Sequence, residues 1–129
     1  MATLFAYLSY RDADTAIGWM QALGFEVTTR QDGDDGSVQH AELKRGDAAV
    51  MVASADADYR VPPLRGRSTG AGLYLLTGEV AALHDAAVEA GGTTIFPPER
   101  TEWGTERARV LDPEGYEWSF GSYEPGQRW

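Results

Sequence analysis

Residues 103–120, WGTERARVLDPEGYEWSF, decide the fold. They read as strand, tight turn, strand. Asp112-Pro113-Glu114-Gly115 is the turn: proline sets a negative φ at its second position and glycine tolerates its end. Before it, Glu106 and Ala108 alternate with Arg107 and Arg109, and Val110 and Leu111 follow. After it, Tyr116, Trp118 and Phe120 alternate with Glu117, Ser119 and Gly121. A period of two marks strands whose faces meet different surroundings. The aromatics are expected to pack under a helix, which leaves Ser119 on the other face. Arg107 and Arg109 belong either to that face or to the outer one, and salt bridging to Glu106, Glu117 or Asp112 is their plain expectation.

Working outward, the segment before this hairpin is a strand at 93–96, then a loop opened by Pro97-Pro98-Glu99-Arg100. A helix over 79–90, with Val80, Leu83, Ala87 and Ala90 inward, precedes it and ends at Gly91-Gly92. A strand at 71–77 comes first. The N-terminal half has the same order. It has a strand at 3–10 and a helix opened by Asp12 and Asp14, with Ala13, Ala16, Ile17, Met20 and Leu23 at helical spacing and Trp19 at the stripe's edge. Gly24 closes the helix, and strands follow at 25–31, 37–44 and 48–53.

The two halves share a register. Glu79 stands 67 residues after Asp12. The same offset relates Leu8 to Leu75, Ala16 to Leu83, Leu23 to Ala90 and Gly24 to Gly91. The expected architecture is therefore α+β, with two βαβββ modules forming a curled, mostly antiparallel sheet around a groove. Module one spans about 1–54, a linker about 55–70, module two about 71–123 and a tail 124–129. The linker holds Pro62-Pro63 and is locally basic through Arg60, Arg65 and Arg67.

The totals narrow the function. At 129 residues the chain reads as one domain, and a chain this size buries roughly two-thirds of its unfolded surface. The net charge of −9 argues against nucleic acid, which requires a basic footprint. It would suit a cationic partner, although solubility alone explains it. There is no cysteine, no signal-peptide pattern and no membrane-length apolar run, so a cytoplasmic protein without a membrane partner is expected. The acidic loop Asp32-Gly33-Asp34-Asp35-Gly36 lacks the twelfth-position glutamate and flanking helices of a calcium loop, so it reads as a hairpin connection. His84 falls on the helix's buried side, opposite Ile17, and reads as a partly covered core histidine.

Paired βαβββ modules, Arg11-Asp12-Ala13 opening the first helix, and Trp103-Gly104, Arg109, Asp112-Pro113, Gly115 and Trp118 at their spacing resemble the vicinal oxygen chelate superfamily. This is the group of glyoxalase I, extradiol dioxygenases, and fosfomycin and bleomycin resistance proteins. The resemblance covers nearly the whole chain and is strongest to the small glyoxalase/bleomycin resistance branch. Metal-dependent members carry four ligands on the first and last strands of each module. Here the resemblance places Phe5, Val50 or Val52, Gly72 and Ser119 at those positions. Divalent metals need histidine nitrogen or carboxylate oxygen, so no metal and no cofactor is expected.

The expected ligand-binding residues are Phe5, Tyr7, His40, Val50, Val52, Gly72, Tyr74, Trp103 and Ser119, with Trp103 covering one mouth. Flat aromatic surfaces with a few polar groups suit a planar or cationic, antibiotic-like small molecule. The alternative is a lyase or isomerase of glyoxalase or dioxygenase type, with His40 and Glu42 as acid and base. The resemblance also implies a homodimer, for which Tyr123 and the tail's Trp129 are interface candidates.

Overall fold

The computed structural model describes residues 3–55, 59 and 69–128. Most of the linker, including Arg60, Arg65 and Arg67, lies outside the described residues, as does Trp129. The chain divides into two compact units, residues 1–65 and 66–129. The fold is α+β, with the same βαβββ order in each unit.

The first unit holds β1 (Ala6–Tyr10), α1 (Ala13–Ala22), β2 (Glu26–Asp32), β3 (Val38–Arg45) and β4 (Ala48–Ser54). The sheet order is β1-β4-β3-β2; β1 and β4 run parallel and the other pairs antiparallel. The acidic loop joins β2 to β3 as a hairpin, closed by Gly33 N–H donating to the Ser37 carbonyl at 2.8 Å. At the start of α1 an Asp12 carboxylate oxygen accepts from the Thr15 amide at 3.1 Å, and the Thr15 hydroxyl donates to the other oxygen at 2.7 Å. These bonds favour the ionised form and hold the Asp12 carboxyl below its ordinary pKa.

The helix ends in a Schellman motif. Phe25 N–H donates to the Met20 carbonyl and Gly24 N–H to that of Gln21, and Gly24 takes φ +94°. Ala13, Ala16, Ile17 and Met20 are buried as the helical spacing predicts. Trp19, expected at the edge of the stripe, is 2% exposed and belongs to the core. The sheet face that the helix covers holds Leu8, Ala41, Leu43, Val50 and Val52, all buried. Large aliphatic side chains buried in this way contribute about 1.5–3 kcal/mol each.

The second unit holds β5 (Gly72–Leu76), α2 (Val80–Glu89), β6 (Thr93–Arg100), β7 (Glu106–Leu111) and β8 (Glu117–Gly121), with sheet order β5-β8-β7-β6. Each end of α2 stands 67 residues after the matching end of α1. Its Schellman motif repeats too, with Gly92 N–H bonded to the Ala87 carbonyl, Gly91 N–H to that of Val88, and Gly91 at φ +111°. The loop expected at Pro97–Arg100 is instead the second half of β6. Two register shifts, between Thr94 and Phe96 and between Phe96 and Glu99, absorb the prolines on an edge strand. Trp118 and Phe120 are buried against α2, as their parity predicts, whereas Tyr116 is 38% exposed and precedes the strand. No helix among the described residues is long and apolar enough to cross a membrane.

Candidate functional site

Sheet register gives each module one face against its helix and one face opposite it. In the second module, Tyr74 pairs with Ser119, Ser119 with Arg109, and Arg109 with Phe96. These four form one row across the open face. Leu76, Gly121, Arg107 and Glu99 form the next row by the same pairings. Gly72, Glu117, Leu111 and Thr93 form the row on the other side. Arg107 and Arg109 therefore share Ser119's face.

Their partners differ from the expected acidic neighbours. The Arg107 Nε donates to Glu99 Oε1 at 2.8 Å. The Arg109 Nε donates to Ser119 Oγ at 2.9 Å. Both guanidinium carbons lie about 5 Å from the centroid of Phe96, at 5.0 Å for Arg107 and 5.1 Å for Arg109. That is within cation–π range.

The open face leads to a cavity of about 260 Å³ lined by Tyr74, Thr101, Trp103, Thr105, Glu106, Arg107 and Tyr123. Local chemistry sets each wall. The loop that carries Trp103 is pinned by a threonine pair. The Thr101 amide donates to the Thr105 carbonyl at 2.8 Å, the two hydroxyls lie 2.8 Å apart, and Gly104 N–H returns to the Thr101 carbonyl at 3.1 Å. Gly104 has φ +87°, a value that glycine adopts without strain, and this turn presents Trp103 at its tip, 62% exposed. The Tyr74 hydroxyl donates to the Tyr123 carbonyl at 2.6 Å, and burial pushes its pKa above the ordinary phenol value. The Tyr74 ring lies over Gly121, where an added Cβ would overlap the phenol. A second cavity, of about 270 Å³, lies against Thr101, Trp103 and Arg107 and is also lined by Glu99, Arg100 and Glu102.

The predicted site residues separate by module. Gly72, Tyr74 and Ser119 share the open face of the second sheet, and Trp103 joins Tyr74 at the cavity. In the first module Tyr7 pairs with Met51 and Met51 with Glu42. His40 Nε2 lies 2.7 Å from Glu42 Oε2, so the expected pairing on one face is present. Phe5 is 53% exposed and Tyr7 48%.

Val50 and Val52 are not in the site. Val52 pairs with Leu8 and Ala41, all on the helix-covered face, and Val50 with Ala6 and Leu43. The residue that corresponds to Ser119 is Met51, because Met51 pairs with Tyr7 as Ser119 pairs with Tyr74. The error has a physical source. Val110 stands 67 residues after Leu43, but its partner Trp118 stands 68 after Leu43's partner Val50. The Asp112–Tyr116 turn is thus one residue longer than its counterpart, and one residue reverses strand parity.

Sequence reading missed Arg107, Thr101, Thr105 and the cavity role of Tyr123. The alternation of Arg107 and Arg109 about Ala108 was the available signal for the first. Nothing in the sequence pointed to the threonine pair. His84 is half-buried, with Nε2 2.9 Å from Thr94 Oγ1 and Nδ1 3.1 Å from Asp85 Oδ1.

The corrected metal positions of the resemblance hold Phe5, Met51, Gly72 and Ser119. A phenyl ring, a thioether, a hydrogen and a hydroxyl do not fit a divalent ion that requires imidazole or carboxylate ligands. No group of three or more His, Asp or Glu side chains suited to a metal occurs among the described residues.

Comparison with known proteins agrees with this architecture. An uncharacterized protein of Mycobacterium bovis is 29% identical over 120 residues, covering 89% of this chain and 79% of its own length. The same identity relates the chain to an uncharacterized protein of Mycobacterium tuberculosis, of which 71% is covered. The crystal structure of TioX from Micromonospora sp. ML1 superimposes with TM-score 0.74 at 26% identity, over 96% of this chain and all of that one, 100%. Maize glyoxalase I shares the fold, with TM-score 0.70 at 20% identity over 93% of this chain and 44% of its own. The match to the family itself runs over residues 4–120, spanning both helices and nearly all of both sheets. The chain belongs to the Glyoxalase/Bleomycin resistance protein/Dioxygenase superfamily.

Proposed function

We propose that this protein binds a planar aromatic small molecule without a metal ion, in the cavity of its second module. The observation that carries the reading is the cavity wall, with Tyr74, Trp103 and Tyr123 around about 260 Å³. Aromatic walls with a few polar groups favour flat ligands of modest size through stacking and apolar burial. Sequestration of an antibiotic-like compound is the biological form this binding would take. The cationic form of the ligand expected from the aromatic surfaces is not carried forward, because Arg107 and Arg109 both stand on the open face.

The test uses 2-naphthamide, a neutral planar probe, in calorimetric titration. Trp103→Ala is expected to weaken its binding about tenfold, since an aromatic contact contributes roughly 0.5–1.5 kcal/mol beyond its buried area. Equal affinity in the variant and the wild type would remove Trp103 from the site. Stoichiometric Zn, Ni, Mn or Fe in the purified protein would sink the metal-free reading.

A second reading rests on the 2.7 Å contact between His40 and Glu42. A hydrogen-bonded imidazole and carboxylate on an open sheet face form a general acid–base pair suited to lyase or isomerase chemistry. Its signature would be catalysed exchange of the α-proton of a ketone probe, abolished in Glu42→Gln. Exchange at the buffer rate in the wild type excludes it for that probe class.

A further inference from the structure

We infer that Arg109, held by Ser119, is an anion subsite that receives the carboxylate of an acidic aromatic ligand. The inference rests on the aromatic-cavity reading above and names the chemical group that ligand carries. The guanidinium then supplies fixed positive charge close to where metal-dependent relatives hold an ion.

Three observations converge on it. First, Arg109 lacks a counter-charge among the described residues. Arg30, Arg100 and Arg107 each have a carboxylate oxygen within 2.8–3.9 Å. Arg109 has no such partner among the described residues, and its hydrogen bond there goes to the neutral Ser119 hydroxyl. A guanidinium offers five N–H donors in a fixed fork. The Ser119 bond uses the Nε donor, and among the described residues neither terminal nitrogen has a hydrogen-bond partner, so both can meet a planar oxyanion.

Second, the guanidinium is held in place. Ser119 Oγ accepts from Nε at 2.9 Å, and the Phe96 ring lies 5.1 Å from the guanidinium carbon. Arg109 and Ser119 are both half-buried, so the charge acts in a medium of lower dielectric than bulk water. A long side chain fixed in this way loses little rotamer freedom when a ligand arrives.

Third, sheet register sets the position beside residues of the aromatic site. Tyr74 and Phe96 end the row that has Ser119 and Arg109 at its centre. Tyr74 also lines the cavity, as does Arg107 from the adjacent row. A flat ring against Tyr74 and Trp103 would thus have its acidic substituent over the middle of the sheet. Ser119 is the residue that permits this. A glutamate there would place a carboxylate against Arg109 and neutralise the subsite with an internal ion pair. The Glu117 carboxylate shares the face one row away, and repulsion from it favours placing a ligand anion toward Arg109 rather than toward Gly72.

The test compares 2-naphthoate with neutral 2-naphthamide by calorimetry, using the full chain. Wild type is expected to bind the acid at least about tenfold more tightly, as charge-assisted hydrogen bonds do. Arg109→Gln should abolish that preference. Arg109→Lys should retain part of it, because the charge survives and the fork does not. Thermal melts establish that each variant is folded. Where the naphthyl probes bind, a preference that is absent in wild type, or that survives in a folded Arg109→Gln, overturns the subsite and leaves the aromatic cavity standing. A second arm uses oxalate, which has no ring to stack. In wild type it should shift the arginine Nε–H resonance of Arg109 saturably and leave that of Arg30 in place. An unmoved Arg109 signal overturns the subsite. A shifted Arg109 signal with no binding of either naphthyl probe supports the subsite and defeats the aromatic-cavity reading.

Discussion

Asp112→Ala is expected to lower folding stability by about 3–5 kcal/mol, a loss at the large end for a single residue. Asp112 is 4% exposed and is the buried charged residue of the described core. Its Oδ1 accepts from the amides of Glu114 and Tyr116, each at 3.0 Å. Its Oδ2 accepts from Trp118 Nε1 at 3.2 Å. The turn closes around these bonds, with Gly115 N–H donating to the Asp112 carbonyl at 2.9 Å and Gly115 at φ +94°. Alanine would take the carboxylate acceptor from three donors at about 1–3 kcal/mol each, reduced where water can reach the turn amides. Water cannot replace the third partner as easily, since Trp118 is 2% exposed. Asp112→Asn keeps one acceptor oxygen and should cost less. Urea unfolding followed by tryptophan fluorescence measures both. A loss below about 1 kcal/mol for the alanine variant would mean that the carboxylate does not hold the hairpin together.

The second large effect is a contrast between adjacent residues. Val52→Glu should leave the protein unfolded or insoluble, whereas Met51→Glu should stay within about 1 kcal/mol of wild type. Val52 is fully buried (0% exposed) beside Leu8 and Ala41. An unpaired carboxylate there must either be desolvated or neutralised, at a cost of several kcal/mol. Met51 faces away from α1, in the row with Tyr7 and Glu42. The expected readout is soluble yield and the urea midpoint of each variant. The reverse ranking would put β4 in the other parity and return Val52 to the site.

The hairpin and the repeat were legible because each rests on local chemistry. Asp112-Pro113-Glu114-Gly115 encodes its turn in four residues, and Gly24 and Gly91 mark helix ends that only a positive φ completes. The repeat placed both helices in one register, although the second runs Val80–Glu89 rather than 79–90, with Asp12 and Glu79 as the N-caps. What failed was long-range. The helices' offset of 67 does not carry over from β8 to β4, because the turn before β8 is one residue longer than the turn before β4. The second half of β6 was lost because Pro97-Pro98 reads as a loop wherever both N–H groups are assumed to be needed, and an edge strand does not need them. The site was half legible. Tyr74, Trp103 and Ser119 carried aromatic or positional signals. Arg109's role depended on which strand neighbours it, a pairing between residues ten positions apart in sequence and adjacent in space.

The prolines of β6 also bear on assembly. A further strand can extend a sheet only along an edge that offers a regular ladder of free amides. Pro97 and Pro98 carry no amide N–H, so the ladder of β6 has a gap there, and the register shifts on either side of Phe96 break its pleat. The other outer strand of this type, β2, is interrupted by shifts of its own and carries Glu26, Arg30 and Asp32. Both outermost antiparallel strands are thus poor templates for cross-chain pairing, which protects a β-rich chain from runaway polymerisation. A second copy joining by strand addition would have to align along β1 or β5, the strands in parallel pairs, and that requirement limits the symmetry of any complex such a union could form.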